Sequence, residues 1–244
     1  MRHDMGFFTE RLEDDRGWKV VFISHCLLNE NTRYLGGAFR EGCVDEVLDE
    51  IRGRGLGIIQ MECPEQRAWG GVLKKYMWLG LGTRNGVLLK LKRPLMAVFL
   101  WNTRRVCRKM AREIVRQVRD YLGSGFAVAG VIGIGGSPTC GVRNTVDIGK
   151  FSDYMLTADL DRLDRETLNR DGIRECGIEG RGLFIEALHT ELHRKGISID
   201  FYEYDLFQEM EGSVPPLGIQ AGLEDTRLDI LASSIRNAAR TVMK

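Results

Sequence analysis

Four short apolar runs punctuate the chain, Trp18–Ser24, Leu56–Met61, Phe126–Ile132 and Ile197–Tyr202. Each has the length and composition of a buried strand. Between them, apolar residues recur at helical spacing. Phe39, Cys43, Val47, Leu48 and Ile51 predict a helix over 38–52. Val106, Met110, Ile114, Val118 and Leu122 predict a second over 102–122. Leu183, Phe184, Ala187, Leu188 and Leu192 predict a third over 182–195. Gly53 and Gly55 end the first, and Gly123 and Gly125 the second. A closing amphipathic helix is expected over 228–242, beyond the break at Pro215-Pro216. Strands alternating with helices predict an α/β fold, a Rossmann-like parallel sheet with helices on both faces.

Some stretches carry a weaker pattern. Residues 1–17 read as a polar lead-in to one domain over 18–244, residues 26–37 as a loop, and 159–171 as exposed helix and loop. An insertion spans about 72–103. In it, Asn85-Gly86 between apolar residues signals a hairpin, with Leu79 before the turn and 87–92 as return strand. This basic insertion is a candidate lid. No internal repeat or low-complexity tract is present.

Composition bounds the function classes. Of 244 residues, 43% are hydrophobic and 28% charged, which is ordinary for a soluble globular chain with a sizeable core. The longest apolar run, Leu95–Trp101, is too short to cross a bilayer, so no membrane partner is expected. The acidic first residues lack the character of a signal peptide, which points to the cytoplasm. There, six cysteines favour metal binding or catalysis over disulfides. Net charge is +1, but residues 67–119 hold fourteen basic side chains against one acid, Glu113. Such a block suits phosphate, a nucleotide or RNA, or the acidic 147–211 stretch of the same chain.

Three cysteines stand just past the ends of three predicted strands: Cys26, Cys63 and Cys140. Ligands of open parallel sheets bind at those ends, so the three thiols are expected to converge. The third lies in a glycine-rich stretch, Gly133–Gly141, whose backbone is expected to come close to a ligand rather than to serve packing. A dinucleotide fingerprint starting at Gly133 needs glycine where Pro138 stands, and a nucleophile elbow on Ser137 needs glycine where Thr139 stands. Three thiolates suit zinc, copper or an iron–sulfur cluster, and Cys63-Pro64 has the look of a ferredoxin-type ligand turn. No Cys-x-x-Cys pair supports a structural zinc site, and spacing alone leaves a metal site and three buried thiols both open. Cys43 and Cys107 fall on or beside helix stripes and read as packing residues. His189 and His193 share a helix face, but Thr190 stands where a zinc-protease motif needs glutamate, so they read as a surface pair.

Three segments together resemble the thiouracil desulfidase family. They are Ser24-His25-Cys26-Leu27-Leu28 with Arg33-Tyr34 and Gly36, Cys63-Pro64-Glu65-Gln66 with Gly70-Gly71, and Gly136-Ser137-Pro138-Thr139-Cys140-Gly141. The chain departs from the family pattern at His25, Thr32 and Leu35; Thr32 stands where members commonly carry a further cysteine. The resemblance implies a 4Fe-4S cluster held by Cys26, Cys63 and Cys140, with one iron left open. It implies Glu65 and Ser137 as catalytic groups, with Glu62 an alternative to Glu65. Arg33, Tyr34 and Gly136 become candidate substrate contacts. The activity implied is hydrolytic removal of sulfur from a thiolated base or nucleotide as hydrogen sulfide. Two other readings stand beside it: a hydrolase using Cys140 as nucleophile, and a nucleic-acid-binding or sensing protein working through the basic segment 67–119.

Overall fold

Residues 7–8, 11–12, 14–82, 91–214 and 216–219 are described by a computed structural model of the chain. The expected turn at Asn85-Gly86, most of its return strand and the closing helix over 228–242 lie outside these residues, as does part of the lead-in.

Strand β1 (Lys19–Ser24) runs into a one-turn helix α1 (His25–Leu28), and helix α2 (Asp45–Gly53) leads to β2 (Gly57–Met61). Helices α3 (Pro64–Ala68), α4 (Lys75–Gly82) and the long α5 (Lys92–Gly123) follow, then β3 (Ala127–Gly135). The short strand β4 (Asn144–Val146), helix α6 (Ile148–Thr157) and strand β5 (Gly177–Glu179) precede α7 (Leu183–Arg194), β6 (Phe201–Asp205) and α8 (Leu206–Met210). The main sheet is parallel throughout, in the order β2-β1-β3-β6. From β1 the chain crosses to β2 on one side and later to β3 and β6 on the other. Right-handed crossovers therefore put α2 on one face and α5 with α7, which pack together, on the opposite face. The expected Rossmann-like α/β architecture is what the chain forms.

The sheet's interior is apolar on both faces. Val21, Phe22 and Ile23 of β1 are fully buried, and Phe22 meets Tyr121 of α5 edge-on at 6.3 Å. Burying each such side chain contributes roughly 1.5–3 kcal/mol. A smaller cluster of Val146, Phe151, Met155, Leu168, Ile173 and Cys176 packs under α6 and the antiparallel β4–β5 pair.

Several elements differ from their expected form, each for a local reason. Helix α2 starts at Asp45 rather than 38, because the buried Glu30 carboxylate accepts the backbone N–H of Phe39 (2.7 Å) and Arg40 (3.2 Å) and holds that segment extended. Cys43 is therefore off the helix; its thiol donates to Asp45 at 3.3 Å instead of packing in the core. The loop after β1 contains α1 and a 3-10 turn, Glu30–Thr32. Residues 75–82 are helical, not the approach to a hairpin; Lys, Tyr, Met, Trp and Leu there include no β-branched residue. Helix α5 starts at Lys92, ten residues before the expected position. After Lys92 and Arg93 its run from Leu95 to Trp101 is apolar all round, which hides the helical period. Strand β3 runs on to Gly135, so Gly133 and Gly135 of the expected glycine-rich stretch are strand. Strand β6 spans 201–205, shifted toward the C-terminus.

Candidate functional site

The C-terminal ends of β1, β2 and β3 open on one cavity of about 320 Å³. Cys26, Cys63 and Cys140 all line it, together with Glu65, Ser137, Thr139 and Lys74. The point where the chain departs in opposite directions from neighbouring β1 and β3 is where open α/β sheets place ligands.

Each thiol is fixed by local structure. Cys26 is the second residue of α1, directly after β1. Cys63 caps α3 in an extended conformation, its sulfur accepting the Gln66 N–H at 3.4 Å, and Pro64 occupies the first turn, where its missing N–H costs nothing. Cys140 closes a turn organised by Ser137, whose Oγ accepts the N–H of Cys140 (3.0 Å) and of Thr139 (3.3 Å). The next loop is held from β6: Glu203, its side chain fully buried, accepts the N–H groups of Val142 (2.8 Å), Arg143 (2.5 Å) and Asn144 (3.1 Å).

The glycines here serve packing, contrary to the expectation from sequence. A Cβ on Gly133 would lie 2.4 Å from the Cys140 carbonyl oxygen, and one on Gly141 would lie 2.1 Å from that of Asn144. Without them the Cys140 turn could not fold back onto β3.

Glu65 is buried at the centre of a polar cluster. Its Oε1 accepts from Thr139 Oγ1 at 2.9 Å and Ser137 Oγ at 3.3 Å, and its Oε2 lies 3.1 Å from Lys74 Nζ. The Lys74 ammonium also donates to the Thr32 carbonyl at 2.8 Å. Lys74 is only 1% exposed and sits in the left-handed region (φ 53°), which non-glycine residues rarely occupy. Sequence reading missed Lys74 and Thr139. Nothing in the sequence separates Lys74 from its exposed neighbour Lys75; only the preceding Gly70-Gly71 pair, both at positive φ, hints at a special backbone.

Electrostatics follow from burial. Desolvation pushes all three site thiols up, Cys63 to about 12 and Cys140 well above the ordinary thiol value. Cys26 and Cys63 each push Cys140 further up, which reports their proximity. Arg33 and Lys74 pull Cys26 down, and Lys74 does the same to Cys63. The metal-free thiols are therefore neutral at pH 7, the reverse of what a cysteine nucleophile requires.

The remaining candidates fall at varied distances from this chemistry. Gly136, Arg33 and Tyr34 border the cavity. The Arg33 guanidinium is held by Glu209 (2.7 Å) and Glu30 (3.0 Å), and the Tyr34 hydroxyl donates to Asn169 at 2.6 Å. Glu62 is exposed and paired with Arg67 at 2.9 Å, outside the cavity lining. Cys107 is fully buried in the main core, as expected. His189 packs near Phe201 on α7, away from the cavity. The expected lid position is filled in helical form: Tyr76, Met77, Leu95, Met96 and Phe99 of α4 and α5 wall the cavity. Among the described residues, no three His, Cys, Asp or Glu side chains meet tightly enough for a single metal ion. No helix among those residues is long and apolar enough to cross a membrane.

No family model matches the chain. No solved structure matches it either. Among curated proteins it is similar to the uncharacterized protein MJ0003 of Methanocaldococcus jannaschii, 28% identical over 130 residues, which cover 52% of this chain and 70% of that protein. A likeness at that level brings no activity with it.

Proposed function

We propose that the chain carries a 4Fe-4S cluster on Cys26, Cys63 and Cys140 and removes sulfur hydrolytically from a thiolated pyrimidine or a similar thiocarbonyl compound. The net reaction replaces the sulfur of C=S with the oxygen of one water, giving C=O and hydrogen sulfide, and it balances without electron transfer. One observation carries the reading: three thiols from three adjacent parallel strands line a single cavity with a buried carboxylate and a hydroxyl. The donor set fits the group. All three ligands are soft sulfurs, and a cavity of about 320 Å³ is far larger than a point metal needs. When bound, such a cluster supplies a Lewis-acidic iron with an open coordination position.

The chain's own residues account for the rest. Glu65 is the general base: hydrogen bonds from Thr139 and Ser137 fix Oε1, Lys74 fixes Oε2, and a carboxylate has lone pairs left for a water proton. Ser137 donates toward Glu65 while two backbone N–H groups hold its oxygen, so it passes a proton along a fixed line. The apolar wall of Met77, Met96, Phe99 and Phe151 receives the flat ring and excludes bulk water. The test is anaerobic reconstitution with iron and sulfide, followed by sulfide release from thiolated bases, nucleotides and tRNA. Release from at least one thiocarbonyl substrate, abolished in Glu65→Gln, is the expected result. A reconstituted protein that releases no sulfide from any of them contradicts the reading.

A further inference from the structure

Eight large apolar side chains between Val72 and Trp101 are exposed, more than on the rest of the described chain together. Tyr76, Val98 and Trp101 are 66%, 62% and 63% exposed. Helix α4 and the first turns of α5 wall the same cavity. Tyr76 and Leu95 border its mouth while remaining exposed. Trp69 ties the segment before α4 to α5 through its ring contact with Phe99 (5.4 Å) and its indole N–H, which donates to Thr103 Oγ1 at 2.9 Å.

The surface has an ordered charge pattern. At helical spacing, Leu91, which precedes α5, and Leu95, Val98 and Trp101 on it fall within about a third of a turn. Exposed Arg105, Arg108 and Lys109 continue the same side of the helix. From Arg67 to Arg112 the sequence holds no Asp or Glu. A contiguous exposed apolar patch marks an interaction site, and this one has aromatic members and a basic extension.

We propose that this face docks onto an anionic lipid surface, with Leu91, Leu95, Val98 and Trp101 in the headgroup–acyl boundary and Arg105, Arg108 and Lys109 against lipid phosphates. Charge and composition select this occupant. A nucleic acid would satisfy the cations but leave the aliphatic side chains in water. A second copy related by a two-fold axis would set two acid-free basic faces against each other. A protein that lies on a bilayer needs no crossing helix, and this proposal departs from the expectation of no membrane partner. Docking would turn the cavity mouth, at Tyr76 and Leu95, toward the lipid. The face is separate from the three cysteines, and its test is independent of metal loading.

The experiment is flotation of the full chain with unilamellar vesicles of phosphatidylglycerol or of phosphatidylcholine. At low salt the protein is expected to float with the anionic vesicles at least ten-fold more than with the neutral ones. Val98→Glu with Trp101→Glu should abolish flotation at unchanged circular dichroism, and Arg105→Glu with Arg108→Glu should reduce it at least ten-fold. Three results would overturn the proposal: flotation with neither vesicle; flotation unaffected by either pair of substitutions; or lost flotation in the apolar variant accompanied by dissociation of a wild-type dimer. RNA binding without vesicle binding overturns it in favour of a nucleic-acid surface.

Discussion

Lys74 Nζ lies 3.1 Å from Glu65 Oε2, and both side chains are buried. The pair acts electrostatically on both Cys26 and Cys63 and joins the basic insertion to the strand-end chemistry. Removing one member of a buried ion pair leaves an uncompensated charge, at a cost of about 3–5 kcal/mol. Lys74→Met is therefore expected to lower unfolding stability by roughly that amount in denaturant titrations. Glu65→Gln combined with Lys74→Met should recover much of the loss, since the orphaned charge is gone. Strict additivity of the two substitutions would show that the pair is not coupled.

Ser137 acts on the backbone as well as on Glu65. Its oxygen accepts the N–H groups of Thr139 and Cys140, so Ser137→Ala should cost about 1–3 kcal/mol by leaving buried donors unpaired. Thr139→Val keeps the turn and removes only the hydroxyl that donates to Glu65. It should lower the sulfide-release rate with iron content intact. A Thr139→Val protein as active as the parent would remove that hydroxyl from the mechanism.

Glu203 binds no thiol, yet three backbone N–H groups just beyond Cys140 converge on it. Glu203→Gln replaces one carboxylate oxygen with a donor and disturbs that grip. Supporting contacts of this kind are worth about 10–100-fold in metal affinity. Chelator competition on reconstituted protein should show weakened iron retention of that order, and unchanged retention would confine Glu203 to general folding.

The metal-free protein should fail at alkaline pH. Burial raises Cys63 from 9.0 to about 12, so the folded state favours its neutral thiol. That stability is fully present below pH 9 and is lost as pH climbs toward 12. Thermal melts across this range should fall more steeply for the parent than for Cys63→Ala. Parallel curves would show that the thiol is not desolvated.

The strand-end placement of the three cysteines was legible in the sequence because each follows an apolar run, and a parallel sheet aligns the ends of such runs. Glu65 was legible only through the resemblance, two residues after Cys63. Lys74 was not, since its burial and positive φ depend on the Glu65 carboxylate and the Thr32 carbonyl, which are distant in sequence. The start of α2 escaped for a similar reason: the Phe39 and Arg40 amides bond to Glu30, a tertiary contact that overrides the apolar spacing. The first turns of α5 escaped because an exposed apolar face erases amphipathic contrast, and that same face is the proposed lipid contact.

The most direct measurement of the central claim is iron and acid-labile sulfide per chain after anaerobic reconstitution, for the parent and for single alanine variants at each site cysteine, with Cys43→Ala and Cys107→Ala as controls. The account predicts about four irons and four sulfides in the parent and in both controls. It predicts loss of both in Cys26→Ala, Cys63→Ala and Cys140→Ala. Full iron and sulfide in any one of those three, or none in the parent, would contradict it.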